Sequence, residues 1–213
     1  MSAVKILAGS DVFRGEVLKG GFAPSLGDWF EEGLGHFNLQ GEELLVDARG
    51  GGYTAFWKPE LPADILVRYV CRILPPQEQN NINLISHCRG SAPGQWPIVE
   101  AGRYVGYQEL PNYIVTFVGD FNEETGVRDS PGRQRLRRNP GFQLVSEEFK
   151  VRSNIGQDYE ITFAVQGGRV RYYIDSLKIF DWQDPEPLAG GHFALRTYKT
   201  VALYRNMVIL SLH

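Results

Sequence analysis

Apolar and polar residues alternate with a period of two through much of the chain. Tyr159, Ile161, Phe163 and Val165 share one parity while Glu160 and Thr162 take the other, and Val170, Tyr172 and Ile174 repeat the pattern against Arg169, Arg171 and Asp175. That alternation marks half-buried β-strands. Gln166-Gly167-Gly168 lies between the two runs, and a Gly-Gly pair supplies the positive φ angles of a tight hairpin. The same reading predicts strands at Leu44–Ala48, Tyr53–Trp57, Asp64–Leu74, Asn81–Cys88, Tyr104–Glu109, Asn112–Val118, Phe142–Ser146, Lys178–Trp182, Phe193–Tyr198 and Val201–Leu210. These are rich in Val, Ile, Tyr and Phe and punctuated by Gly, Pro, Asn and Asp. Residues 65–70 are apolar on both parities apart from Arg68, as in a central strand. No segment repeats at 3.6 residues, so at most one short helix is expected, within Phe142–Ile155. About twelve to fifteen strands without crossover helices imply two stacked antiparallel sheets, and the expectation is a single all-β sandwich domain spanning residues 1–213.

Composition fits that architecture. Gly (24) and Pro (12) together make about 17% of the 213 residues, against a usual ~12%, as a fold with many turns requires. A net charge of −3 and a pI near 5.8 argue against a general nucleic-acid binder. Two cysteines, Cys71 and Cys88, form no disulfide framework. No run of residues approaches the ~18 apolar positions of a membrane span, and the first thirteen residues hold no secretion signal. A cytoplasmic location is therefore expected, although a secreted chain already relieved of its signal would read the same way. Nothing in the sequence sets the oligomeric state.

The tail, Gly190-Gly-His-Phe-Ala-Leu-Arg-Thr197 followed by Val201-Ala-Leu-Tyr-Arg-Asn-Met-Val208, resembles the closing strand pair of the concanavalin A-like lectin/glucanase superfamily. Arg169–Asp175 followed by Lys178–Trp182 is similar to the pair before it. Within that superfamily, Phe56-Trp57, Tyr104–Tyr113, Arg135–Phe142 and Asp181–Pro185 resemble the YesU-like group of bacterial proteins. The resemblance covers roughly residues 40–210. It implies a jelly roll whose concave sheet serves as a sugar cleft, in a superfamily that holds glycoside hydrolases, polysaccharide lyases and non-catalytic lectins. The YesU-like group is similar to neighbours of pectin-degrading systems, which implies a uronate-containing oligosaccharide as ligand. Fold alone does not decide activity.

A retaining glucanase of this superfamily carries Glu-x-Asp-x-(x)-Glu on one strand, which sets nucleophile and acid/base on the same face. That run is absent, and Glu147 and Glu148 are adjacent and so face opposite ways. A uronate lyase instead needs a group to neutralise the carboxylate and a base and acid to move protons. By strand parity Asn81, Asn83 and His87 share a face, Tyr107 agrees with Glu109, and Arg133, Arg135 and Arg137 form a basic row suited to carboxylates. His87, Tyr107, Glu109 and Arg135 are thus the candidate catalytic residues. Asn81, Asn83, Tyr104, Tyr113, Arg137, Arg196 and Tyr198 are candidate substrate contacts, with Trp57 and Trp96 as platforms for pyranose faces. Solvated basic faces, packed tyrosines and structurally bonded histidines are the commoner uses of the same residues.

No histidine or cysteine pair has metal-ligand spacing. Asp120–Gly126 is similar to the start of a calcium loop but lacks its closing Glu, so it is read as an acidic turn. No cofactor is expected, a structural calcium being the only metal the resemblance allows. The leading expectation is a carbohydrate-active protein that binds or acts on acidic oligosaccharides, as a lyase or a glycoside hydrolase if it is an enzyme. A non-catalytic sugar-binding module and a protein-interaction module are the alternatives, with neither nucleic acid nor membrane as partner.

Overall fold

The computed structural model describes residues 3–20, 26–75, 81–92, 95–119 and 132–213. In chain order its strands are β1 (Val4–Ala8), β2 (Asp11–Gly20), β3 (Trp29–Gly33), β4 (His36–Gln40), β5 (Glu43–Asp47), β6 (Gly52–Leu61), β7 (Ile65–Ile73) and β8 (Asn81–Cys88). A helical turn α1 (Tyr104–Tyr107) follows. Then come β9 (Asn112–Val118), β10 (Arg133–Asn139), β11 (Gln143–Glu148), β12 (Asp158–Gln166), β13 (Arg169–Ile174), β14 (Leu177–Gln183), β15 (Gly191–Tyr198) and β16 (Val201–Leu212). They form two antiparallel sheets. The first runs β1-β2-β16-β7-β12-β13-β14, with β4 and β5 attached through β5 to β16, and the second runs β11-β10-β9-β8-β15-β6-β3.

The alternation read from the sequence decides what lies between the sheets. Tyr159, Ile161, Phe163 and Val165 of β12 and Val170, Tyr172 and Ile174 of β13 enter the inter-sheet core, where they meet Leu84, Val115, Phe117, Leu136, Phe193 and Leu195 of the second sheet. Gly167 and Gly168 take φ of 57° and 73° in the turn between β12 and β13, as the hairpin requires. β7, apolar on both faces, sits between β16 and β12. Its Leu66 faces away from the core into a second cluster.

That second cluster lies on the outer face of the first sheet. Ile6, Ala8 and Phe13 of the β1–β2 hairpin pack on Leu66, Ala164, Tyr173 and Leu210. At the hairpin turn Asp11 accepts from the Tyr173 hydroxyl and pairs with Lys178 Nζ at 2.7 Å. The hairpin thereby covers part of that outer face, which beyond it carries the half-buried ion pairs of Arg72, Asp158, Arg205 and Glu43. The outer face of the second sheet is covered only in part.

Two expectations change, and the arginine segment, read by strand parity, is strand β10, which pairs with both β9 and β11. Tyr104–Glu109 is a helical turn and its sequel, because the segment lies across the second sheet instead of pairing within it. Residues 142–155 hold strand β11 followed by irregular chain, without a helix. The acidic stretch Asp120–Gly126 lies outside the described residues.

Phe193 is fully buried between the sheets and edges against Trp29 and Tyr69. Phe193→Ala should lower stability by about 3–5 kcal/mol, read as a lower urea midpoint with an unchanged slope.

Candidate functional site

Because strand neighbours in register share a face, one set of partners can be followed across all seven strands of the second sheet. Glu32 pairs with Thr54, Thr54 with Arg196, Arg196 with Asn83, Asn83 with Thr116, Thr116 with Arg135, and Arg135 with Glu147. Every member is polar or charged. Leu136, Leu84, Val115, Leu195 and Ala55 on the alternate positions belong to the inter-sheet core, so this row lies on the outer face.

The row is wired by hydrogen bonds. Thr116 Oγ1 donates to Asn83 Oδ1 at 2.7 Å, and Asn83 Nδ2 donates to Asn81 Oδ1 at 2.9 Å. Arg135 Nε donates to Glu147 Oε1 at 2.7 Å. Arg196 Nη1 donates to Thr54 Oγ1 at 3.3 Å. Asn83, Thr116, Thr54 and Arg196 form a buried floor, and Asn81, Tyr198, Arg133, Arg135, Arg137 and Tyr104 are half-buried around it.

One row further along, the face turns apolar. Phe30, Phe56, Ala194, Ile85 and Ile114 are covered by Val99, Tyr107 and Leu110 from the segment 95–111. Glu32 fastens that segment down. Its Oε2 accepts from the Tyr107 hydroxyl at 2.5 Å and its Oε1 accepts from the backbone N–H of Val99 at 2.8 Å. Burial raises the Glu32 carboxyl above its ordinary range, opposed by those two bonds. Burial and the bond to Glu32 likewise raise Tyr107.

The open part of the face carries a surplus of positive charge. Arg133, Arg135 and Arg137 project from β10, and among the described residues Glu147 alone answers them, at 2.7 Å from Arg135 and 3.8 Å from Arg133. Arg137 has no carboxylate partner among the described residues. Its guanidinium carbon lies 3.6 Å from the centroid of the Phe142 ring, and Nη1 donates to the Phe142 carbonyl at 3.0 Å. Burial lowers its pKa, with the Tyr104 hydroxyl beside it acting in the opposite sense.

The candidate residues therefore divide. Asn81, Asn83, Tyr104, Arg135, Arg137, Arg196 and Tyr198 lie together on this face. His87 does not share the face of Asn81 and Asn83. The three residues His192–Ala194 of β15 face four of β8, Ile85–Cys88, and His87 lies in that bulge with a φ of 57°. The bulge turns it inward, where Nδ1 meets Ser86 Oγ and Nε2 meets the Ala63 carbonyl, each at 2.9 Å. Burial lowers its pKa to about 4, so it is neutral at pH 7. Tyr113 also faces the core, where its hydroxyl donates to Asp184 at 2.6 Å. Trp57 is 3% exposed in the inter-sheet core and cannot serve as a platform. Tyr107 is on the correct face but fully buried, its hydroxyl committed to Glu32. Glu109 is exposed beyond α1 and agrees with Tyr107 in no strand, since the segment is helical.

Trp96 is 37% exposed and stacks on His192 with ring centroids 4.3 Å apart. His192 is four residues from Arg196 on β15, about 13 Å along the strand, so Trp96 flanks the polar row from beyond the apolar one. The sequence reading missed Glu32, Thr54 and Thr116. Thr116 could have been found from parity with Asn112 and Ile114, whereas Glu32 sits on a strand of five residues with too little alternation to read. Among the described residues no group of three or more His, Cys, Asp or Glu could hold a metal ion.

Two stacked antiparallel sheets with this strand order define a concanavalin A-like, galectin-like jelly-roll sandwich. A family model described as "Domain of unknown function (DUF6250)" matches residues 47–207, and the chain belongs to that family. A comparison with curated proteins gives no match. Among solved structures, the chain is similar to a protein of unknown function with a galectin-like fold from Bacillus subtilis, with TM-score 0.73, 17% identity, and coverage of 93% of this chain and 97% of that one. It is also similar to the carbohydrate binding module CBM66 from Bacillus subtilis, with TM-score 0.59, 13% identity, and coverage of 86% and 96%. The exoplasmic/lumenal domain of VIP36 in its Ca²⁺/Man3GlcNAc-bound form gives TM-score 0.66, 12% identity, and coverage of 89% and 86%. At these identities the likeness is one of fold.

Two outcomes check this description. His87 is held neutral with a folded pKa near 4, against about 6.5 in the unfolded chain. Its contribution to stability is complete above pH 6.5 and lost as pH falls toward 4, by about 3 kcal/mol at most. Denaturation midpoints measured from pH 7 to 4 should fall less steeply in His87→Gln than in the parent. Separately, Glu32→Ala orphans the Tyr107 hydroxyl and the Val99 N–H, which should lower stability by about 2–3 kcal/mol. Hydrogen exchange should then quicken in residues 95–111 before the rest of the sheet.

Proposed function

We propose that this chain binds a carboxylate-bearing oligosaccharide across the outer face of its second sheet, as a binding module without turnover. The observation that carries the reading is the charge on that face. Among the described residues, Arg133, Arg135 and Arg137 meet one carboxylate, Glu147, on a chain whose net charge is −3. A row of amides and hydroxyls beside planar guanidinium forks matches the hydroxyls and carboxylate of an acidic sugar. The printed descriptions of CBM66 as a carbohydrate binding module and of VIP36 bound to Man3GlcNAc support sugar as the ligand class. Kinship with the YesU-like group, and the uronate class it implies, belongs to the same proposal.

Hydrolysis is less well served. The two carboxylates of the row, Glu32 and Glu147, stand at opposite edges, six strand spacings or roughly 29 Å apart along the sheet. Paired glycosidase carboxyls stand roughly 5–9.5 Å apart. A lyase reading rests on one contact, the Tyr104 hydroxyl beside the Arg137 guanidinium, which would join a proton carrier to a carboxylate-neutralising cation.

Calorimetric titration with oligogalacturonate and with a neutral oligogalactoside of equal length separates these readings. The acidic ligand should bind more tightly, and more weakly as salt is raised. Arg135→Gln and Arg137→Gln should each lose about five- to tenfold for the acidic ligand and little for the neutral one. Absorbance of an unsaturated uronate appearing in the mixture would replace the binding module with a lyase. Absence of binding to either ligand would end the sugar reading.

A further inference from the structure

Arg196 is the charged group of the polar row that no carboxylate pairs with among the described residues. It is 3% exposed at the centre of the sheet. Its Nη1 makes one long hydrogen bond, to Thr54 Oγ1 at 3.3 Å, and its Nε is buried with no protein acceptor. Glu32 is near enough to act on it only through space. Two aromatic rings cover it instead. The guanidinium carbon is 5.4 Å from the centroid of Tyr104 and 5.6 Å from that of Tyr107. Its other side lies against the bare Cα of Gly52, where a Cβ would come within 2.7 Å of Nη2.

Ring faces attract a cation but do not satisfy N–H groups that lie in the guanidinium plane. A buried arginine that only filled space would be replaced by an apolar side chain without loss of stability. This one instead keeps its Nε–H unused beneath two aromatic rings. Tyr107 is tied to Glu32. Tyr104 is half-buried at the start of a four-residue turn that has no side-chain cap, edge-on to Phe142 at 5.9 Å with its hydroxyl beside Arg137. Tyr104 thus stands between the two guanidinium groups of the face that lack a carboxylate partner among the described residues.

We propose that Arg196 is a carboxylate-binding residue of this face and that Tyr104 is the cap an entering sugar carboxylate displaces to reach it. The proposal rests on the acidic-oligosaccharide reading above. It adds that selection for the acid is made at the centre of the sheet, with the arginines of β10 gathering the ligand at the rim. Opening the cap removes one cation–π contact, so the measured affinity is reduced by the fraction of chains in which Tyr104 covers Arg196.

The test uses the ¹⁵N-labelled chain, with the Arg196 Nε–H resonance assigned through the backbone and followed during titration with oligogalacturonate. Calorimetry of the parent, Tyr104→Ala, Arg196→Lys and the double variant runs alongside, with the neutral oligogalactoside as control. The Nε–H resonance should shift downfield with the acidic ligand only. Tyr104→Ala should raise affinity for the acid about tenfold relative to the neutral sugar, Arg196→Lys should bind the acid about tenfold more weakly, and the gain from Tyr104→Ala should vanish in the double variant. The proposal is overturned if the parent binds the acid while the Nε–H resonance stays still, or if Tyr104→Ala alters both ligands alike; the acidic-sugar reading survives either result. A parent chain that binds neither ligand overturns both. The resonance is read on the unaltered chain, so an unstable variant leaves it decisive.

Discussion

Each strand of the second sheet has two faces, and the inter-sheet core claims one of them. Leu84, Val115, Leu136, Leu195 and Ala55 are spent on that core, so their neighbours in sequence must all emerge on the other side. Because the strands are in register, those neighbours fall into one line from Glu32 to Glu147. The polar row follows from a period of two applied seven times to one shared core. Moving one member to another site would mean shifting a strand by a residue and turning its whole apolar set to solvent.

Polar groups in such a row are stable only where each finds a partner or reaches water. Asn83, Thr116 and Asn81 satisfy one another, and Arg135 satisfies Glu147. Glu32 tolerates burial because the Tyr107 hydroxyl and the Val99 N–H bond to it, and the same two bonds hold residues 95–111 across the apolar half of the face. One carboxylate thus joins the floor of the site to the segment that limits its extent. On the first sheet the β1–β2 hairpin covers part of the outer face, and beyond it Arg72 and Arg205 are paired with Asp158 and Glu43. On the second, Arg196 and Arg137 are left, among the described residues, as cations without carboxylates, and the chemistry of the face turns on them.

How much of this could be read from the sequence depended on how regular each strand is. The β12–β13 hairpin was legible because its alternation is unbroken and Gly167-Gly168 marks the turn. The common face of Asn81 and Asn83, and that of Arg133, Arg135 and Arg137, followed from parity in the same way. His87 misled for a local reason: one extra residue in β8 reverses parity after Ser86, and an L-residue at positive φ leaves no mark in composition. Trp57 lies in Tyr53–Trp57, where both parities are apolar or nearly so, and alternation cannot say which face is the core. Tyr104–Glu109 has the composition of a strand, but its place over Phe56 and Ile114 is set by tertiary packing and by Glu32, 75 positions from Tyr107. The N-terminal strands escaped because their partners are the last strand of the chain and the far side of the first sheet.

Whether ligand sits on the polar row is tested most directly by a crystal structure of the chain with an acidic oligosaccharide. Sugar density is expected over Asn81, Asn83, Thr116 and Arg135, with a carboxylate within hydrogen-bond distance of Arg137 or Arg196. Density lodged on the first sheet or at the sandwich ends, with the row untouched, would contradict that placement.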